Sequence, residues 1–320
     1  MLIFYLIVFI ISGFVLYWSG EKLVDALIKI ARYLKWREFV LAFFVISFAG
    51  CLPNLFLGIN SALQKIPEFS LGDVLGGNVV DLTVAIALAV LATKRKEIPA
   101  QSRTVQTTSL FTLISALLPL LLMLDGQLSQ IDGILLISLF FFYISWLFSK
   151  QERFTKVFNG EEINLSISEE IGILFKEIKT IFWGIVFLLI ACEGIIISAK
   201  FFQNFVPLIL LGILFAGLGN ALPEIYFAIS SAKKGNTWMI LGSLMGSVVV
   251  TSTLVLGTVA LFCPIKTTKL PLLAVARFFL LFSALFFFIF IRTDRKITKR
   301  EAIILFLIYI FFLIACKINY

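Results

Sequence analysis

Residues 47–62 (SFAGCLPNLFLGINSA) align without a gap to residues 217–232 (GLGNALPEIYFAISSA). The same offset of 170 aligns residues 71–84 (LGDVLGGNVVDLTV) to residues 241–254 (LGSLMGSVVVTSTL). Leu52-Pro53 meets Leu222-Pro223, and Ser61-Ala62 meets Ser231-Ala232. Gly72, Gly76, Val79, Val80 and Thr83 meet Gly242, Gly246, Val249, Val250 and Thr253. Apolar segments resemble one another by chance, but one offset shared by two segments and the turn between them does not arise that way. Any fold for this chain has to contain the same unit twice.

The medium in which the two units fold follows from their composition. Of the 320 residues, 60% are hydrophobic and 14% are charged, against roughly 25% charged in a soluble domain. Charged, proline and glycine punctuation separates ten apolar runs, near 2–31, 38–63, 71–92, 104–124, 130–149, 178–202, 206–232, 240–263, 269–291 and 299–316. Each is about the 20 residues that a membrane-spanning helix requires. The chain therefore reads as an all-α polytopic membrane protein. Its first run opens on Met-Leu-Ile-Phe with no basic stretch and no small-residue cleavage signal, so it reads as a retained helix rather than a signal peptide. The absence of histidine excludes His-based triads, His-ligated metals and the usual neutral-pH proton switch. Cys51, Cys192, Cys263 and Cys316 are scattered without a CxxC pair, so neither a disulfide framework nor a zinc site is indicated.

The net charge of +8 has a topological explanation. With the N-terminus outside, 19 basic residues fall at inner span ends and loops, and five (Lys65, Lys200, Lys266, Lys269 and Lys317) fall outside. Such an asymmetry is what the positive-inside rule demands. It predicts a cell-membrane protein with both termini outside, and it removes nucleic acid as an explanation of the charge.

Residues 150–177 are the only substantial non-membrane stretch, carrying Glu161, Glu162, Glu169 and Glu170 against Lys156 and Lys176. Ser166-x-x-Glu169 there resembles a capping box that opens an amphipathic helix. This cytoplasmic linker divides the chain into a first five-helix repeat (1–149) and a second (178–320). Because five is odd, the two repeats are inverted relative to one another. Inverted repeats with Pro- or Gly-interrupted helices at matching positions point to a secondary transporter's midplane site.

The repeated helices carry polar stripes at steps of three or four residues. Ser47, Gly50/Cys51, Asn54, Gly58 and Ser61 form one on the second helix; Gly217, Asn220, Glu224, Ala228 and Ser231 form its counterpart on the seventh. The third helix aligns Asp73, Gly77 and Asp81, and the eighth aligns Ser243, Ser247 and Thr251. Small residues alone would also serve close helix packing. They do not explain Asp81 and Glu224, whose carboxylates at membrane depth are costly unless they line a pathway. Pro53 and Pro223 each deprive the carbonyl four residues earlier of its partner, at Ala49 and Gly219. Freed carbonyls, amide oxygens, hydroxyls and carboxylates suit hard cations such as Ca²⁺ or Na⁺. The candidate cation ligands are Glu224, Asp81, Asn54, Asn220, Ser247, Thr251 and Ser47. Glu21, Lys22, Asp25 and Glu193 read as residues near helix ends or at interfaces.

The LPN and LPE motifs, followed by GDVLGGNVVD and GSLMGSVVVT, resemble the sodium/calcium exchanger family of the cation/calcium exchanger superfamily. The likeness extends over the whole chain. It implies ten transmembrane helices in two inverted repeats, and alternating access in which the first and sixth helices slide across a rigid core. It also exposes departures. Family members usually place Glu after the proline in both repeats, where this chain has Asn54 and Glu224. They commonly place Asn and then Asp at the central positions, where it has Asp81 and Thr251. The hydroxyls usual at Gly50 and Gly77 are missing, whereas their second-repeat counterparts are Asn220 and Ser247. By this resemblance the cation site is better preserved on the second repeat than on the first.

The expected function is a secondary active cation antiporter of the sodium/calcium type, working on inorganic cations in a lipid bilayer, with no cofactor and no obligatory protein partner. A proton-coupled or monovalent-cation exchanger on the same fold is the alternative. An intramembrane enzyme could also hold two carboxylates in a cavity, but the chain shows no nucleophile–base motif and arranges its polar residues as a repeat.

Overall fold

A computed structural model describes residues 1–33, 47–149, 167–235, 237–266 and 270–318. Among them, nine helices are long and apolar enough to cross a membrane, and the shorter apolar helix Leu52–Leu63 joins them. In chain order they are α1 (Leu2–Tyr33), α2 (Leu52–Leu63), α3 (Pro67–Ala92), α4 (Arg103–Leu122), α5 (Gln130–Phe148), α6 (Ile167–Phe202), α7 (Leu208–Lys233), α8 (Thr237–Val250, extended through Thr251–Val255 and Leu256–Phe262), α9 (Leu270–Arg292) and α10 (Lys299–Ile318). Residues 38–46 of the expected second span lie outside the described residues, as do Ser166 and residues 150–166 of the linker. The sixth helix is already formed at Ile167, the first residue described after the linker and well before the expected start at 178.

Local chemistry explains the helix starts. Pro67 opens α3, where a missing N–H costs nothing. Ser129 and Asp132 form a reciprocal capping box at the start of α5, with Asp132 Oδ2 accepting from the Ser129 N–H at 2.8 Å. Two prolines at equivalent positions act differently. A turn at Cys51 interrupts the regular helix, although the Cys51-to-Ser47 and Leu55-to-Cys51 backbone bonds span it, and the regular α2 starts at Leu52 with Pro53 in its first turn. Helix α7 instead runs through Pro223.

The repeat is visible in the backbone as well as in the sequence. Lys65 and Gly235, 170 positions apart, both take a left-handed φ (60° and 80°) in the turns that leave α2 and α7. Each donates its N–H to the carbonyl three residues back, Ala62 or Ala232. Short strands β1 (Glu97–Pro99) and β4 (Lys296–Thr298) pair antiparallel, as do β2 (Gln127–Leu128) and β3 (Ile265–Lys266). β1 and β2 sit at opposite ends of α4, so the two ladders cap opposite ends of the bundle. The 170-residue offset carries β2 onto β4, which belongs to the other ladder. Equivalent parts of the two repeats therefore lie on opposite faces, as inversion requires.

Helices α3 and α8 are apolar on nearly all sides and buried through most of their length, which marks them as the centre of the bundle. α1 and α6 lie along each other at the periphery, joined by the Tyr5–Phe201 ring stack at 4.2 Å and the Lys29–Glu177 ion pair at 3.1 Å. The crossing that shapes the interior is that of α3 on α7. A Cβ on Gly72 would run into the Ile209 carbonyl, and one on Gly217 would lie 2.7 Å from the Gly77 nitrogen and 2.9 Å from the Asp73 oxygen. Only glycine permits the two backbones to come so close.

Candidate ion-binding site

Broken helix geometry recurs where the candidate ligands stand. Asp81 begins a π-turn, Asp81–Ala85, inside α3, and Thr251 begins its equivalent, Thr251–Val255, inside α8. A π-turn inserts one extra residue into a helix and leaves backbone groups free of the regular ladder. Thr83 and Thr253 mend part of each break by donating to the carbonyls of Val79 and Val249. On the facing helices, Asn54 stands in the first turn of α2 after the turn at Cys51, and Glu224 directly follows Pro223.

These elements converge on one small cavity. It is lined by Asn54, Asp73, Asn78, Asp81, Asn220, Glu224, Ser247 and Thr251, with Val74, Gly77 and Ala221 between them. Six of the seven candidates thus share a single space. Ser47 does not line it: its hydroxyl donates to the backbone oxygens of Ser243 (3.1 Å) and Gly242 (3.3 Å), tying the second helix to α8. Asp81 and Glu224 are 3% and 8% exposed. Asp81 Oδ1 and Glu224 Oε2 are buried without a hydrogen-bond partner among the described residues. An added Cβ on Gly50 would lie 3.8 Å from Glu224 Oε1, so the backbone before α2 abuts this carboxylate. Cys51 is buried with a free thiol that donates to Ser247 Oγ at 3.4 Å.

Two further residues belong to the lining. Asp73 is 0% exposed and accepts from Asn220 Nδ2 at 2.9 Å and Asn54 Nδ2 at 3.4 Å. Asn78 donates to Ser252 Oγ and accepts from Thr251 Oγ1, each at 2.7 Å. It pins the π-turn of α8 to α3. The single Thr251 proton also reaches the Ser247 carbonyl at 2.8 Å, so it serves one of these acceptors at a time. Asn78 had a signal in the sequence. It is an amide deep in an apolar span and three residues before Asp81, hence on nearly the same side of α3. A strict four-residue stripe through Asp73, Gly77 and Asp81 passes it by.

Among the lining residues three are carboxylates and none is basic. The remaining donors are amide and hydroxyl oxygens, a set suited to hard cations. Among the described residues, no three Asp, Glu, His or Cys side chains cluster as a conventional metal site, so a cation would rely on neutral oxygens for much of its shell. A larger, mostly apolar crevice between α1, α2, α6 and α7 shares Asn220 with this cavity.

The sequence profile of the sodium/calcium exchanger proteins matches residues 4–149 and 177–317. The chain belongs to this family. One relative is the sodium/calcium exchanger MaX1 of Methanosarcina acetivorans, 23% identical, with 96% of this chain and 95% of that protein covered. An uncharacterized membrane protein of Methanocaldococcus jannaschii is 22% identical over 83% of this chain and 85% of its own length. Among solved structures, the sodium-calcium exchanger NCX_Mj, soaked with Na⁺ and Sr²⁺, superposes with a TM-score of 0.66 at 20% identity. It covers 97% of this chain and 98% of that one. The ten-helix inverted-repeat arrangement is thus the exchanger fold.

Proposed function

We propose that the protein is a secondary active antiporter exchanging sodium for calcium by alternating access, in a cell membrane with both termini outside. Glu224 and Asp81 act as the charged ligands, and Asn54, Asn220, Ser247 and Thr251 supply neutral oxygens. One observation carries this reading: two carboxylate oxygens, on opposite repeats, are buried in one cavity where the described residues offer them no hydrogen-bond partner and line it with no basic side chain. A buried charge without a partner is strongly destabilising, so a bound cation is the natural complement. The family membership and the likeness to the sodium/calcium exchanger of Methanosarcina acetivorans point the same way. The separate packing of α1 along α6 supports a pair of helices that shifts as a unit against the α3–α8 core.

The test is flux in proteoliposomes. An outward or inward sodium gradient should drive calcium in the opposite direction, and collapsing the gradient should stop it. If calcium does not move while sodium exchanges for protons or potassium, the fold stands and the calcium assignment falls. Turnover of a chemical substrate without ion flux would move the protein out of the transporter class altogether.

A further inference from the structure

The β1–β4 end of the bundle carries a concentration of charge that the ion cavity does not use. Residues 93–103 and 292–301, which form and flank the ladder, hold nine Lys and Arg side chains against three acids. Two of the acids are engaged: Glu97 pairs with Lys296 at 3.1 Å, and Glu301 accepts from the Thr298 hydroxyl at 2.8 Å. Arg95, Arg295, Lys299 and Arg300 are exposed, and among the described residues their side chains have no hydrogen-bond or ion-pair partner. We propose that this end of the molecule is a docking surface for anionic phospholipid headgroups. Lipid binding here is separate from ion exchange, and in the orientation proposed above the leaflet is the cytoplasmic one.

Packing does not account for the charge. The inverted repeat builds an equivalent cap at the other end, from residues 123–132 and 263–266 around the β2–β3 ladder. Those residues hold one lysine against two acids. Orientation does not account for the crowding either. A positive-inside bias needs only an excess of basic residues on one face, and the α7–α8 turn on that same face carries just Lys233 and Lys234.

The basic residues stand at the lipid perimeter. Lys299 and Arg300 open α10, and four residues on, along the same faces of the helix, Ile303 and Ile304 are exposed. Arg103 opens α4 seven residues before the exposed Leu110. Arg292 ends α9 three residues after the exposed Ile289, with its guanidinium carbon 4.7 Å from the centre of the Phe288 ring. Large apolar side chains exposed on a spanning helix face acyl chains, so a basic residue one or two turns beyond them reaches the headgroups.

The surface is also held in shape. Ile98 and Ile297 face each other in the ladder and are fully buried, which pins both strands to the bundle. The Gln106 amide donates to the Ala100 and Ile291 carbonyls at 2.7 and 3.0 Å, tying the start of α4 to the end of α9. Guanidinium groups on such a frame can take phosphate oxygens in pairs.

The probe is dioleoyl phosphatidylglycerol added to the purified protein in a neutral detergent, with dioleoyl phosphatidylcholine and inorganic phosphate as comparisons. Thermal unfolding and native mass spectrometry read the binding. Phosphatidylglycerol should raise the wild-type Tm at concentrations where phosphatidylcholine does not, and more of its molecules should stay bound. Each basic side chain near an anionic surface strengthens association about fivefold. Combining Arg95→Gln, Arg295→Gln, Lys299→Gln and Arg300→Gln should therefore weaken phosphatidylglycerol binding by at least about tenfold, even after screening. Lys233→Gln with Lys234→Gln, on the same face but outside the cap, should change it by less than about threefold. Should the quadruple variant not fold, Arg95→Gln with Arg295→Gln and Lys299→Gln with Arg300→Gln repeat the test as pairs, each weakening binding by about fivefold or more. Equal effects of the two lipids on wild type, undiminished binding in the cap variants, or an equal loss in the Lys233 and Lys234 variant would overturn the assignment. Inorganic phosphate matching the effect of phosphatidylglycerol would make this a free-phosphate site and overturn lipid docking.

Discussion

Gly72 and Gly242 occupy the same repeat position, and alanine should have opposite effects at the two. At Gly72 the new methyl would run into the Ile209 carbonyl oxygen, with Ile209 C and Ile213 N each 3.0 Å away. Ordinary contact begins at 3.4 Å, so α3 and α7 must part by at least 0.4 Å, and further for the oxygen. The obstacle is backbone on both sides, which no rotamer change relieves. Overpacking of this kind costs about 1–3 kcal/mol. The same displacement stretches the Asn220–Asp73 hydrogen bond from 2.9 Å toward the limit of useful geometry. At Gly242 an added Cβ meets nothing within 4 Å among the described residues, so alanine there should gain about 0.5–1 kcal/mol from the better helix former. The two variants should thus differ by about 2 kcal/mol or more. Thermal unfolding of the purified proteins in detergent measures this directly. Gly72→Ala should melt several degrees below wild type and bind cations more weakly, and Gly242→Ala should melt at or above it. Equal losses at both positions, or a wild-type melting point for Gly72→Ala, would refute the argument that the α3–α7 crossing depends on bare backbone.

Glu224→Gln should abolish calcium transport while leaving monodisperse protein, because α2 carries Asn54 rather than a second carboxylate at the matching position; near-normal flux would remove Glu224 from the site. Asp81→Asn should severely weaken calcium transport for the same reason, and normal transport would remove it likewise. Asn54→Glu should strengthen calcium binding, yet it also strips Asp73 of a donor and sets a like charge beside it. The ion-free variant should then melt below wild type and show a larger calcium-induced stabilisation, and an unchanged calcium affinity would contradict the ligand role of position 54. Single cysteines introduced at Gln127 and Ser168 test the topology with an impermeant thiol reagent on intact cells. Position 127 should label and position 168 should not; the reverse would overturn the orientation.

Much of this architecture was legible because it rests on local and periodic chemistry. Apolar runs and their spacing follow from the cost of polar groups in lipid, which every residue meets regardless of its neighbours. The shared offset of 170 and the odd count of spans carried the inversion, and the two β ladders at opposite ends of the bundle display it. Deep placement alone was enough to single out Asp81 and Glu224. Contacts between distant segments were beyond this kind of reading. Residue type alone put Ser47 on the polar stripe, but packing turns its hydroxyl to the α8 backbone. The stripe also contained Asp73, whose place in the cavity depends on how closely α3 crosses α7. One Leu-Pro motif directly follows a turn at Cys51 and the other lies inside a regular helix. Gly72 and Gly242 are identical in type and repeat position, yet one is pressed against a carbonyl and the other meets no such obstacle among the described residues. A repeated sequence encodes the same local preferences twice, whereas the neighbours of each copy are chosen by packing the whole chain, and only the assembled bundle breaks that equivalence.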